Sequence, residues 1–193
     1  IMKKLDIYMR PLTLKDINSK YVSWFADSEV TEYLEAKNIS ISESKEYLIN
    51  GIIQRSYYIY AIWDNTKNIH IGNIKVGPIR RSDGVSDLVT VIGDKKYWGK
   101  GIASKAIKNL KEKVFLDSGI RKFVASIDSF NLGSINAYMK AGFKKEANIK
   151  DFFVHKTKDE IFFSNKIYLA ANNFKFDIKK FNKWEPISLE DIE

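Results

Sequence analysis

The sequence has no cysteine, three prolines and two histidines. Without cysteine there can be no disulfide framework, no thiolate nucleophile and no Cys-ligated metal or cluster. His70 and His155 are the only imidazoles. With no ligand partners at useful spacing, they read as structural or surface residues, and no metal is expected. No apolar run approaches the roughly 20 residues of a membrane-spanning helix. The opening stretch, IMKKLDIYMRPLT, has no long apolar core of the kind a secretory leader carries, which gives the expectation of a cytoplasmic protein. Internal repeats and low-complexity segments are also lacking.

What is present suits a soluble globular domain. The 193 residues are 45% hydrophobic and 29% charged, enough chain to bury a substantial core unaided. The net charge is +8, much of it scattered lysine, such as Lys108, Lys111 and Lys113 in one helical stretch. Such a balance fits either a solvated lysine-rich surface or attraction of an anionic ligand such as a nucleotide or phosphate. There is no zinc-finger spacing, RNA-binding signature or basic recognition helix, so neither nucleic acid nor membrane is an expected partner.

Periodicity divides the chain into alternating elements. DIYMRPL reads as a strand ended by Pro11. Thr13 is a plausible N-cap for a helical region that starts there. YVSWFADSEVTEYLE suggests two short amphipathic helices broken near Asp27 and Ser28, and residues 42–54 suggest another. YYIYAIWD, NIHIGNIKVGPI and VSDLVTVIGD are strand-like runs joined by turn signals, an antiparallel meander. Ile102, Ala103, Ala106, Ile107, Leu110, Val114 and Phe115 form one stripe of a helix over 102–117, stopped by Gly119. RKFVASID is a strand, and a short helix from Asn131 to Lys140 follows. A final hairpin turns around Thr157–Asp159. The expected fold is α/β, a mixed sheet in a domain over 1–171, with a polar, aromatic-studded tail over 172–193 docked on it. The helix between the third meander strand and the next strand allows one parallel crossover.

The chemistry centres on DKKYWGKGIASKA, which places Gly99 and Gly101 between a strand and a helix. Helix first turns leave N–H groups unpaired, and the helix dipole adds partial positive charge. Glycines there let the backbone take positive φ and approach a phosphate closely. An ordinary tight turn would have the same composition. The spacing matches neither GxxxxGK[ST] nor GxGxxG.

About thirty residues later the chain reads NLGSINAYMKAGF. The pair WGKGIA and NxxSxxxYxKxGF resembles the GNAT superfamily of acyl-CoA-dependent N-acyltransferases. Trp98 stands where most of that superfamily carries Arg or Gln, and Gly101 and Ala103 take its small-residue positions. The YWGKG variant and the stretch YVSWFADSEVTEYLE resemble the ribosomal-protein N-terminal acetyltransferase branch, so the likeness covers roughly residues 5–170. It implies a single mixed, mostly antiparallel, splayed sheet of about six to seven strands flanked by helices, with acetyl-CoA as co-substrate.

Carried onto this chain, the resemblance implies that backbone groups of Val91 and Ile92 hold the pantetheine arm. The segment Trp98, Gly99, Lys100, Gly101, Ile102, Ala103 and Ser104 would cradle the pyrophosphate. Asn131 and Ser134 would contact the cofactor, in addition to capping the following helix. Tyr138 stands where the family often has a tyrosine that protonates the leaving thiolate, and its other reading is a packed core aromatic. Asp87, where relatives commonly carry Glu, is the first candidate base, with Asp128 ranked below it. Glu29 and Glu32 are candidates for binding the acceptor's charge, their other reading being a solvated helix face. The expected function is transfer of acetyl to a primary amine, either a small molecule such as an amino sugar or a protein N-terminus, by a monomer or homodimer. The alternatives are an inactive CoA-binding sensor or interaction module and, less favoured, a basic nucleic-acid-binding surface.

Overall fold

The computed structural model describes residues 6–193, so the first five residues of the expected domain lie outside it. Seven strands form one sheet in the order β1-β2-β3-β4-β5-β7-β6. These are β1 (Ile7–Pro11), β2 (Tyr58–Asp64), β3 (Ile69–Arg80), β4 (Val85–Ile92), β5 (Lys122–Asp128), β6 (Lys144–Lys156) and β7 (Ile161–Asn172). Every neighbouring pair is antiparallel except β4 and β5, the pair joined by the helical crossover. The mixed, mostly antiparallel sheet expected from the sequence is therefore present.

The helices are α1 (Ser19–Ala26), α2 (Ile41–Ile53), α3 (Ile102–Ser118), α4 (Leu132–Lys140) and α5 (Ile178–Lys183). α2 starts with a capping box in which Ser40 and Glu43 satisfy one another's backbone N–H groups. α3 is bounded by Gly101 and Gly119, both left-handed, and turns Ile102, Ala106, Ile107, Leu110 and Val114 into the core. Ile102, Ile107, Leu110 and Val114 each contribute about 1.5–3 kcal/mol when fully buried, and Ala106 less.

Two expectations about the N-terminal region are corrected. Thr13 caps no helix: its N–H and hydroxyl both donate to Asp16, which Arg10 grips at 2.6 and 2.8 Å. That half-buried ion pair closes a turn, and α1 begins later, capped by Asn18. The second helix of YVSWFADSEVTEYLE does not form. Residues 28–33 are successive turns, because Asp27 engages the N–H groups of Glu29 and Thr31 through its carboxylate and carbonyl.

The sheet has two differently dressed faces. Leu88, Thr90 and Ile92 of β4 share one face with Val76, Ile74 and Gly72 of β3. α4 covers this face, since the Tyr138 hydroxyl lies 3.4 Å from that of Thr90, and α3 packs against α4 and β4. Asp87, Val89 and Val91 point to the other face, where α2 reaches Lys75 of β3 through Tyr47. The residues after β7 pack at the end of the sheet where β4 begins. Asp177 bonds to Gly119, Ile178 lies against Gly84, and Phe181, Ile187 and Ile192 are buried.

Candidate functional site

β4 and β5 pair only over Val85–Asp87 with Lys122–Val124. Beyond that point β4 stays on β3 as far as Ile92, and β5 stays on β7 as far as Asp128. The two middle strands therefore part, opening a gap inside the sheet. Strand pairing leaves backbone groups unmet only at edges, so this gap is an internal edge.

The register decides which groups line it. Gly93 N–H bonds to Ile71 C=O on β3. In an antiparallel pair these bonds alternate along the strand, so Val91 and Val89 turn their N–H and C=O groups to β3, whereas Leu88, Thr90 and Ile92 turn theirs into the gap. This corrects one expectation: of the adjacent pair Val91 and Ile92, only Ile92 presents backbone groups to the gap. Thr90 and Leu88 join it, and the sequence reading missed both. Fixing which alternate residues face a gap requires the register, which one strand's sequence does not contain.

Two side chains already use that edge. The Tyr138 hydroxyl donates to the Leu88 carbonyl at 2.5 Å. The Trp98 indole N–H donates to the Ile92 carbonyl at 2.8 Å. Tyr138 is buried, and burial raises its phenol above the usual range, so it remains a protonated donor at neutral pH. Trp98 is 42% exposed and ties the glycine loop to the end of β4.

The loop itself is open. Gly99 and Gly101 have φ of +71° and +74°, and Cβ atoms built there would meet nothing closer than the Ser104 hydroxyl at 3.9 Å. No side chain caps α3. The Lys105 N–H bonds back to Gly101, which leaves the first-turn N–H groups of Ile102, Ala103 and Ser104 facing outward from a concave, positively polarised end. The Ser104 hydroxyl bonds to the Gly101 carbonyl, and the Lys100 ammonium sits 5.5 Å from the Tyr97 ring centre. A backbone cradle without side chains, at a helix start beside a sheet edge, fits a pyrophosphate with an extended amide-bearing arm.

Asn131 caps α4 by accepting the Ser134 N–H at 3.1 Å, and both residues are partly exposed at the helix start that follows β5. Asp87 is half-buried just where the strands part, and burial raises its carboxyl against the lowering fields of Arg80, Lys75 and Lys166. Glu29 and Glu32 sit on turns rather than on a helix. Glu29 is not a free charge: Lys95 bridges it at 3.0 Å and Asp27 at 2.8 Å. Glu32 is exposed beside Tyr33. Asp128 is buried, accepting from Phe130 N–H at 2.9 Å and facing the His155 ring at 3.0 Å. His155 also contacts the Ser164 hydroxyl at 2.8 Å and stacks on Phe162. His70 is buried on Gly72 and Asn73, and desolvation holds it neutral. No helix among the described residues is long and apolar enough to cross a membrane.

Residues 6–144 match the family model described as the acetyltransferase (GNAT) domain. A probable N-acetyltransferase of Bacillus subtilis, YjcK, is 26% identical over 157 residues, covering 76% of this chain and 84% of the relative. Two solved structures share the fold. The spermidine N-acetyltransferase of Vibrio cholerae, in complex with CoA and spermine, superposes with a TM-score of 0.76 at 16% identity, covering 88% of this chain and 96% of that one. The ribosomal-protein-S5-alanine acetyltransferase of Vibrio fischeri gives 0.75 at 15% identity, covering 92% and 97%. The chain belongs to the GNAT acetyltransferase family.

Proposed function

We propose that this member of the GNAT acetyltransferase family moves an acetyl group from acetyl-CoA to a primary amine by direct attack, the acceptor being a small molecule such as an amino sugar or a protein N-terminus. The observation that carries this reading is the coincidence of the internal sheet edge with the open glycine loop. The first-turn N–H groups of α3 and the flanking glycines would hold the pyrophosphate. The gap-facing groups of Thr90 and Ile92 would bond the pantetheine amides as an added strand would. Asn131 and Ser134 would contact the arm from the far rim.

The acetyl group would then reach the point where β4 and β5 part. Asp87 stands there as the base that takes the proton from the attacking amine, and its raised carboxyl makes it a better proton acceptor than an ordinary aspartate. The amine nitrogen forms a bond to the thioester carbon, and the carbon–sulfur bond breaks. The Tyr138 phenol would turn from the Leu88 carbonyl to stabilise the departing thiolate. An unpaired N–H on the sheet edge would meet the charge developing on the carbonyl oxygen.

Calorimetric titration with acetyl-CoA tests the reading, followed by a screen of amines for CoA release. Micromolar binding that is lost in Gly101→Glu, with CoA released in the presence of an amine, is expected. Binding without CoA release, unchanged by Asp87→Asn, would mark a sensor instead of an enzyme. No binding would remove the acetyl-CoA reading altogether.

A further inference from the structure

The face of the sheet that carries Asp87 is dressed with cations. On β3, Lys75 lies opposite Val89 and Arg80 opposite Val85, so the two flank Asp87 along β4 on that face. Across the gap, β7 sets Lys166 opposite Asp128 and Tyr168 opposite the exposed Ser126. None of the three cations has a carboxylate within ion-pair distance among the described residues. Lys75 rests on aromatic surface instead, 2.9 Å from the Tyr47 hydroxyl and 5.5 Å from the ring centres of Tyr47 and Tyr57. Lys166 sits 4.5 Å from the ring centre of Phe152. Arg80 is exposed.

Of the carboxylates named above, Glu29 is bridged by Lys95, while Asp128, hydrogen-bonded to His155 and to Phe130 N–H, keeps its charge at the level of Lys166. Among the described residues, Lys75 and Arg80 face no such carboxylate. The charges acting on Asp87 are Arg80, Lys75 and Lys166, all positive. A spermine-like acceptor would bring further ammonium groups toward Lys75 and Arg80, like charge against like. An anion would pair with them.

The spacing narrows the chemistry. Val85 and Val89, the partners of Arg80 and Lys75, each lie two residues from Asp87, about 7 Å along the strand. An anion held by either cation therefore stands roughly a sugar ring's width from an amine at Asp87. An α-amino acid carries its carboxylate two bonds from the nitrogen and spans too little.

We propose, building on the acetyltransfer reading above, that the acceptor is an amine bearing a phosphate at about that span, held by Lys75 or Arg80 while its nitrogen meets Asp87. An amino sugar phosphate has this form, whether the phosphate is free or part of a nucleotide diphosphate.

Matched probes test it. Glucosamine, glucosamine 6-phosphate and uridine-diphosphate-linked glucosamine carry the same amine, and spermidine serves as the polycation. Each is titrated into the enzyme in the presence of CoA, and each is assayed for CoA release from acetyl-CoA. At least one phosphorylated sugar is expected to bind and react about ten-fold better than glucosamine, equal to the effect of one charge-assisted contact. The better of the two identifies the phosphate's source. In Lys75→Gln/Arg80→Gln that preference should shrink toward one, with the thermal midpoint checked to show that the variant folds. Phosphorylated sugars that bind no more tightly than glucosamine, or spermidine used as well as either, would overturn the inference while leaving acetyl transfer standing. Loss of acetyl-CoA binding itself would instead bring down the reading on which it rests.

Discussion

Asp87 and Tyr138 approach the same turn of β4 from opposite faces of the sheet. Tyr138 comes from α4 and donates to the carbonyl of Leu88, the residue next to Asp87, while the Asp87 side chain emerges on the far face. The strands stop pairing at this level. The two groups therefore stand on either side of a slot, with their charges coupled: ionised Asp87 raises the Tyr138 phenol further. A base on one side and a proton donor on the other suit a reaction in which the nucleophile enters from one face and the leaving group departs toward the other.

Asp87→Asn tests the first half of this arrangement. Acetyl-CoA affinity should hold, and the amine-dependent turnover should fall by about 100-fold or more, the usual scale for losing a general base. In the native enzyme the rate should rise with pH through a carboxyl titration above the ordinary aspartate value of 3.8, because only the ionised form accepts a proton. Stability should follow the opposite course. A carboxyl whose folded pKa is raised favours the folded state below its unfolded pKa, and that advantage is lost as pH rises through the folded value. Asp87→Asn should thus raise the thermal midpoint at neutral pH, with the gain shrinking in acid. A variant as active as the native enzyme would remove Asp87 from the mechanism.

Tyr138→Phe removes the buried donor and leaves the Leu88 carbonyl facing the gap. The expected stability loss is about 1–3 kcal/mol, the cost of one unsatisfied buried group. If the phenol also serves the leaving thiolate, kcat should drop by about 100-fold while KM for acetyl-CoA changes little. Chemical denaturation and steady-state kinetics on the same preparation separate the two effects. Reduced stability with unchanged kcat would leave Tyr138 a latch across the slot and nothing more.

Gly101→Ala and Gly101→Glu differ in what they disturb. At φ +74° any side chain is strained, so alanine should cost about 1 kcal/mol of stability. The added methyl meets no protein atom within 4 Å except the Ser104 hydroxyl at 3.9 Å, so folding should survive. Acetyl-CoA binding should weaken modestly in the alanine variant and vanish in the glutamate variant, whose carboxylate repels the pyrophosphate. Equal affinity across all three proteins, measured by calorimetry, would mean that the loop is an ordinary turn.

The mixed sheet, the long helix α3 and the glycine loop were legible because each rests on local signals: alternation, a repeating stripe, and glycines between a strand and a helix. The gap's lining was not. Which of Leu88 to Ile92 face it depends on pairing with β3, set by Gly93 and Ile71. Periodicity also misplaced Glu32 on a helix, because Val30, Tyr33 and Leu34 have helical spacing although Asp27 turns the chain there instead. Glu29 read as available because its partner, Lys95, lies 66 residues away. The cationic ring around Asp87 was invisible for the same reason. Lys75, Arg80 and Lys166 come from two strands that only the fold brings to one face.

Trp98 marks this chain's departure from the Arg or Gln common at that position, and its indole suggests what replaces them. The bond to the Ile92 carbonyl holds the glycine loop against the end of the gap. A carbonyl oxygen accepts two hydrogen bonds, so Trp98 can stay in place while the cofactor arm uses the other lone pair. Trp98→Phe keeps an aromatic ring and deletes the donor together with the five-membered ring that carries it. Because the side chain is 42% exposed, the thermal midpoint should hardly move. Acetyl-CoA affinity should fall by about five-fold, the equivalent of one hydrogen bond of about 1 kcal/mol lost from a preordered loop. Tighter affinity would show that the indole competes with the arm for Ile92, and unchanged affinity that the bond takes no part in binding.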